Sequence, residues 1–339
     1  IWGKNMKKII SLLTVAAVGT TLNVKAVAAE ELLRAVHAFP NFLVYTKTFL
    51  SYVEEVNARG KGVVQIQVMG GPEAIKMFEQ PNAVRDGVVD MVHTPGSFYG
   101  AAVPEIDAMV ASKKNAVETR ANGGTAMMDA AHQKRFNVKY LAWIDSGIGF
   151  NIFTVNEPKF RSSDGVLDLG GVKIRDNPIY TAFLKSLEAT TSPMASTEAY
   201  GALEKGVIDA APWTTIGITD LKWNKFLNYM VEPSFYSTDL GIIVNLDRWN
   251  SLTDEAKDVL QTVAIEWEQK SHDERQADVA KYKAAYTESG MKFVNHSEVG
   301  GANYLKLAYD SVWARATERM TDKGNAEDVA KLRSLYAPD

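Results

Sequence analysis

The chain has 339 residues, 46% hydrophobic and 23% charged, with no cysteine. This excludes global disorder, disulfides, thiolate catalysis and thiolate-held metal centres. With 37 Lys and Arg against 41 Asp and Glu the formal charge is −4, which excludes a strongly basic nucleic-acid footprint. At roughly 100–200 residues per domain, the length predicts two domains.

Met6-Lys7-Lys8 is a short basic start, preceded by the extension Ile1–Asn5. An apolar stretch runs from Ile9 to about Leu22 and ends in small residues, Ala26 to Ala29, before Glu30-Glu31. This is the layout of a secretory signal peptide cleaved after Ala28 or Ala29. The competing reading, a membrane anchor, meets interruptions at Thr14, Thr20, Thr21 and Asn23 and a run shorter than the ~20 apolar residues of a span. Residues 1–29 hold four lysines and no acid, so the remainder carries a formal charge of −8. The sequence predicts an acidic, exported, periplasmic protein, and the absence of Cys suits an oxidising compartment.

Downstream, Leu32–Val36 reads as a strand, 42–56 as a helix by its apolar spacing, 63–68 as a strand and 74–86 as a helix. Val88–His93 predicts a strand leading to the loop Thr94-Pro95-Gly96-Ser97, on which Phe98 and Tyr99 sit. A helix over 115–135 and strands over 138–144 and 150–154 follow. A second unit opens with the strand Gly171–Arg175. A helix over 177–187 is predicted with Asn177 as its cap and Pro178 at its first position. A helix over 197–203 and strands at 210–211 and 240–245 come next. Thr253–Ser289 is one long helical pattern capped by Thr253, with Asp254 and Glu255 in the first turn. At ~1.5 Å per residue it reaches roughly 50 Å, enough to lie across two small domains. Helices over 303–320 and 326–335 complete the chain. Alternating strands and helices predict a mostly parallel α/β architecture.

Several motifs lead nowhere. Ser289-Gly290-Met291-Lys292 matches S-x-x-K, but S-D-N and K-T-G are missing and Gly290 ends a helix. Gly165–Lys173 lacks the Gly-Lys-Ser/Thr of a phosphate loop, and the five histidines form no close pair. No Gly-x-Ser-x-Gly is present, and no nucleophile–base set emerges, so the chain reads as no enzyme. Most of the seven Trp and thirteen Tyr read as core. Tyr99 and Trp213 fall at strand-to-loop transitions and are retained as ligand candidates.

The informative region is 171–213, with GGVKIRDNPIY and then SPMASTEAYGALEKGVIDAAPW. Gly171, Lys173 and Arg175 lie on an apolar strand, followed by Pro193 and by Glu198, Tyr200, Ala202, Leu203, Gly206 and Asp209. Together with Ala83–Met91, this pattern resembles the solute-binding subunit of tripartite ATP-independent periplasmic (TRAP) transporters, over essentially all of the chain after the signal. The resemblance implies a two-domain periplasmic binding-protein clamp with a long helix spanning both halves. The first domain is then 30–150, with 245–339 packing largely on it and across the cleft, and the second 151–244. It also implies a small carboxylate ligand and membrane permease subunits as partners.

Arg175 matches the family's carboxylate-binding arginine. Its place at a strand end is where α/β sheets bind ligands, and a guanidinium holds a carboxylate through two parallel hydrogen bonds. An ion pair with Asp176 is the alternative. Pro212-Trp213 resembles the branch that binds 2-oxo or 2-hydroxy monocarboxylates such as pyruvate or lactate. There a cation, Ca²⁺ or Na⁺, bridges ligand and protein. Its ligands would be the Trp213 carbonyl and Asp239, whose alternative role is a cap or surface acid. The branch's Asn-Thr-Gly-x-Gln is replaced here by Asp145-Ser146-Gly147-Ile148-Gly149, followed by Phe150-Asn151. Asn151 would then supply an amide, Asp145 a second acidic ligand, and Phe150 and Tyr99 apolar walls and a hydrogen bond. A sugar acid, an aromatic acid or a C4 dicarboxylate would fit the same fold, and a secreted α/β hydrolase is the alternative of another class. The C-terminal helices are candidates for a homodimer contact.

Overall fold

The computed structural model describes residues 29–338. The expected signal segment, up to residue 28, and the extension before Met6 lie outside the described residues. Among the described residues no helix is long and apolar enough to cross a membrane.

One lobe opens with β1 (Glu31–His37), α1 (Val44–Arg59), β2 (Val64–Gly70), α2 (Gln80–Arg85) and β3 (Met91–Pro95). It continues through α3 (Asp107–Val110), α4 (Ala116–Ala121), α5 (Gly124–Phe136) and β4 (Val138–Trp143). The other holds β5 (Phe150–Thr154), a small hairpin of β6 (Lys159–Phe160) and β7 (Leu167–Asp168), and β8 (Lys173–Asp176). It goes on with α6 (Thr181–Ser186), β9 (Thr190–Pro193), α7 (Ser196–Glu204), β10 (Ala210–Thr214) and β11 (Tyr229–Phe235). The chain then returns through β12 (Leu240–Asn245), α8 (Leu246–Ser251), α9 (Asp254–Glu288), β13 (Lys292–Asn295), α10 (Glu298–Asp322) and α11 (Asp328–Tyr336).

The two larger sheets run β2-β1-β3-β12-β4 and β13-β11-β5-β10-β8-β9. Each is mostly parallel, with a single reversed strand. β12 is antiparallel to β3 and β4, and β5 is antiparallel to β10 and β11. The reversal follows from connectivity. The chain crosses between lobes from β4 to β5 and again from β11 to β12. A strand that starts at a crossing runs away from it, whereas β3, β8 and β10 run toward it.

The long helix is present as predicted. The Thr253 hydroxyl accepts from the Ala256 N–H at 3.2 Å, and the helix runs for 35 residues. Its first half packs on α1, α4 and β4, burying Leu260, Val263 and Trp267. Each such side chain contributes about 1.5–3 kcal/mol. Its last turns reach the other lobe. The Tyr286 ring meets Phe153 at 6.1 Å, and Lys283 pairs with Glu232 at 2.5 Å. α10 likewise touches α3 on one side and α6 and β11 on the other. Ser289 stands at the end of α9 with its hydroxyl donating to the Tyr286 carbonyl (2.8 Å), the local bonding of a helix terminus.

Some boundaries differ from expectation. Asn177 does not cap a helix. Its side-chain oxygen accepts from the Ile179 N–H two residues on (3.0 Å), a local turn, and α6 starts only at Thr181. The pattern over 115–135 is two helices broken at Gly123, which takes φ +92°, a backbone conformation that favours glycine. Only Gln80–Arg85 of the expected 74–86 helix is α-helical, and the strand expected at 88–93 lies at Met91–Pro95. β9, β11 and β13 were not foreseen.

Candidate ligand-binding site

A narrow cavity opens where the lobes meet. It is lined by Pro95, Ser97 and Phe98 after β3, by Asn177, Ile179 and Tyr180 after β8, and by Trp213 and Thr214 at the end of β10. Phe150 at the start of β5, Thr238, Asp239 and Leu240 at the second crossing, and Phe39 and Tyr45 before and within α1 close it. The carboxyl ends of parallel strands thus converge on it, the usual ligand position in α/β sheets. Its volume is about 30 Å³, room for roughly two waters. The walls are largely aromatic, with Phe39 edge-on to Trp213 at 5.7 Å and Phe150 edge-on to Tyr180 at 5.3 Å.

The polar groups on the wall are few. Asp239, 2% exposed, accepts from the Ser97 N–H through Oδ2 at 2.6 Å. Burial pushes its carboxyl up to about 6, against the pull of that bond. The hydroxyls of Ser97 and Tyr45 and the indole N–H of Trp213 are buried without hydrogen-bond partners. Unpaired buried donors are costly, and a ligand oxygen would satisfy them.

Arg175 does not line the cavity. It lies fully buried beneath two indoles, with its guanidinium carbon 5.6 Å from the ring centres of both Trp213 and Trp223. Its Nη1 donates weakly to the Pro212 carbonyl at 3.5 Å, and Nε has no partner. Burial lowers its pKa, and the Tyr180 phenol beside it works the other way. No carboxylate lies within ion-pair distance among the described residues. Asp176 in particular is taken up by the Thr181 hydroxyl and the Asn177 N–H. The alternative pairing of Arg175 with Asp176 is therefore not formed. Tyr180 joins the two places, since it stands beside the guanidinium and also lines the cavity.

Of the other expected site residues, Phe150, Trp213 and Asp239 meet in the cavity wall. Tyr99, Asn151 and Asp145 are not brought to it. The Tyr99 ring stacks on Phe136 at 5.0 Å and its hydroxyl bonds His132 at 3.0 Å, so Tyr99 belongs to the core and its neighbour Phe98 faces the ligand space. Asn151 spends both ends of its amide internally. It donates to the Val231 carbonyl (2.8 Å) and accepts from the Thr215 hydroxyl (2.7 Å). Asp145 accepts from the Thr48 hydroxyl at 3.0 Å and pairs with Arg275 of α9 at 3.2 Å. Ser97, Phe39, Tyr45, Asn177, Tyr180 and Thr214 were missed as wall residues. Only Tyr180, close after the Arg175 strand, carried a usable signal.

The model of the bacterial extracellular solute-binding protein family 7 (DctP) matches residues 36–318. The chain belongs to this family. A solute-binding protein of Albidiferax ferrireducens is 24% identical over 316 residues, 85% of this chain and 87% of that one. A monocarboxylate 2-oxoacid-binding periplasmic protein of Nostoc sp. is 26% identical over 216 residues, 60% of this chain and 57% of that one. The solved TRAP transporter solute-binding protein of Bordetella bronchiseptica shares the fold. Its TM-score is 0.78 at 19% identity over 90% of this chain and 92% of that one, and it carries copurified calcium and picolinate in one of its sites. As a family 7 solute-binding protein the chain belongs to a transport family and not to a family of enzymes.

The wall of this solute-binding protein offers a cation one carboxylate, so further oxygens would have to come from backbone, hydroxyls or the solute. Hard cations such as Ca²⁺ take about six to eight oxygens. Among the described residues no group of three or more His, Asp or Glu could hold a metal ion, and Asp239 is the single carboxylate of the cavity. The nearby hydroxyl protons are spent inside the protein, which leaves the oxygen lone pairs. Thr214 donates to the Ile216 carbonyl (2.7 Å) and Thr238 to the Asp145 carbonyl (2.6 Å). The Trp213 carbonyl is used as well. Thr215 N–H donates to Gly149 O, so the alternation of the antiparallel ladder makes Trp213 and Asn151 a hydrogen-bonded pair. Neither that carbonyl nor Asp145 is turned toward Asp239.

Proposed function

We propose that the chain is the periplasmic subunit of a TRAP transporter and delivers a small monocarboxylate, such as lactate or pyruvate, to its membrane permease. The observation that carries this reading is Arg175, a buried cation with no anion. An uncompensated buried charge is expensive, and a ligand carboxylate supplies the missing partner. Tyr180 links the cavity to the guanidinium, and the unpaired hydroxyls of Ser97 and Tyr45 take further ligand oxygens. Because the wall comes from both lobes and both crossings, a bound solute favours the closed arrangement by its contacts to each, as in hinge-closing receptors. The closed complex is the form the permease receives.

A thermal-shift titration of residues 30–339 tests the reading, with lactate, pyruvate, a C4 dicarboxylate and a sugar acid, each with EDTA and again with added Ca²⁺. A ligand at ~100 times its Kd stabilises by about 2.7 kcal/mol. A monocarboxylate shift that persists in EDTA and disappears in Arg175→Met is expected. A shift that requires Ca²⁺ would restore the cation bridge, and a shift by the sugar acid alone would overturn the ligand class.

A further inference from the structure

Buried acids elsewhere in this protein have a cation beside them. Asp90, Glu105, Asp107, Asp145 and Glu268 each have an arginine within 3.2 Å. Asp176 has none but is held by a backbone N–H and the Thr181 hydroxyl. Asp239 differs from all of them. It has no ion-pair partner among the described residues, it accepts from one protein N–H, and it lines the ligand cavity. Arg175 is its counterpart, a buried cation with no acid. Tyr180 lines the cavity with Asp239 and its phenol is influenced by the Arg175 charge.

Asp239 thus lines the cavity while Arg175 lies buried behind its Trp213 wall, two opposite charges without ion-pair partners among the described residues. Resting on the monocarboxylate reading above, we infer that the solute presents a hydrogen-bond donor, an ammonium or hydroxyl group, to Asp239 while its carboxylate answers Arg175. A keto oxygen or a second carboxylate brings only lone pairs to an ionised Asp239. The remaining open groups, the Ser97 and Tyr45 hydroxyls and the Trp213 N–H, are donors available to ligand oxygens. Phe39, Phe98, Phe150 and Trp213 surround the space, and an ammonium group over a ring face is attracted to it. In the absence of such a donor, burial holds the Asp239 carboxyl well above its ordinary range.

Calorimetric titration at pH 8 in EDTA, with 2-oxo, 2-hydroxy and 2-amino acids of matched chain length, reads this directly. At the chain length that binds best, the hydroxyl or ammonium member should bind roughly ten- to hundredfold tighter than the oxo member, the range for hydrogen bonds to charged groups. Asp239→Asn, nearly the same shape without the charge, should bring that ratio close to one. Arg175→Met should weaken every member alike. An oxo acid that binds as tightly as its partners, or a preference that survives Asp239→Asn, overturns the inference and leaves the monocarboxylate reading standing. If no member of any set binds, or Arg175→Met changes nothing, the carboxylate reading itself has failed and the inference fails with it.

Discussion

Asp145 and Asp239 occupy equivalent places, one at each crossing between the lobes, and both are buried. Their surroundings are opposite. Asp145 has left-handed backbone geometry (φ 56°) and ties the first crossing to α1 through Thr48 and to α9 through Arg275. The Thr238 hydroxyl bonds its carbonyl, so the second crossing is fastened to the first. Burial pushes the Asp145 carboxyl up to about 7, and Arg275 and the Thr48 hydroxyl pull the other way. Asp239, the residue after Thr238, has a single N–H and an open cavity. Residue type and burial are shared, so the partner set alone decides which acid is a strut and which is a binding group.

Four experiments sharpen or break this contrast. Arg175→Met should cost about 4 kcal/mol of carboxylate binding, roughly a thousandfold in Kd by calorimetry, while the unliganded fold is as stable or more so. Asp145→Asn keeps a residue that tolerates left-handed geometry but strips Arg275 of its main counter-ion. Arg275 keeps Asp278 at 2.9 Å, so the variant should lose about 2–3 kcal/mol in urea unfolding. An unchanged stability would mean that the acid is already neutral and the strut is a hydrogen bond alone.

Asp239→Asn acts through pH. The folded value near 6 lies above an unfolded value of about 3.9, so the ionised carboxyl costs stability in the fold. Its contribution is whole below pH ~4 and is lost as pH rises through 6. The stability of the variant relative to wild type, followed by urea unfolding of ligand-free protein, should rise by about 2–3 kcal/mol from pH 4 to 7.5. A flat difference would mean that Asp239 has a partner in solution. The smallest effect belongs to Ser97→Ala. It removes a buried hydroxyl with no partner, so stability should hold or rise by about 1 kcal/mol while ligand affinity falls.

The large elements were legible because they rest on local pattern. α9 shows its cap, its acidic first turn and its apolar stripe in one continuous stretch, and β1, β4 and β12 are compact apolar runs. β11 escaped because Pro233, which has no N–H, interrupts its pairing with β5 between Val231 and Phe235. The Asn177-Pro178 pair looked like a helix start because an asparagine that accepts from a nearby N–H does so equally in a turn and at a cap. The cavity was legible only in part. Arg175, Phe150, Trp213 and Asp239 sit at ends of recognisable strands. Whether a side chain at such an end faces the cavity or the core is settled by distant partners. His132 and Phe136 claim Tyr99, Val231 and Thr215 claim Asn151, and Arg275 claims Asp145. Tyr45 and Ser97 reach the wall from places far along the chain from Trp213, a convergence that no local spacing records.

The reversed strand β12 has a consequence for how the molecule is made. It sits between β3 and β4, yet it is synthesised only after every strand of the other sheet except β13. Until it arrives, the first sheet is two separate pieces, β2-β1-β3 and β4, with no ladder between them. A nascent or truncated chain ending near residue 238 cannot complete its first lobe however much of it has emerged. The lobes therefore mature together rather than one after the other, which keeps the polypeptide unfinished late into synthesis.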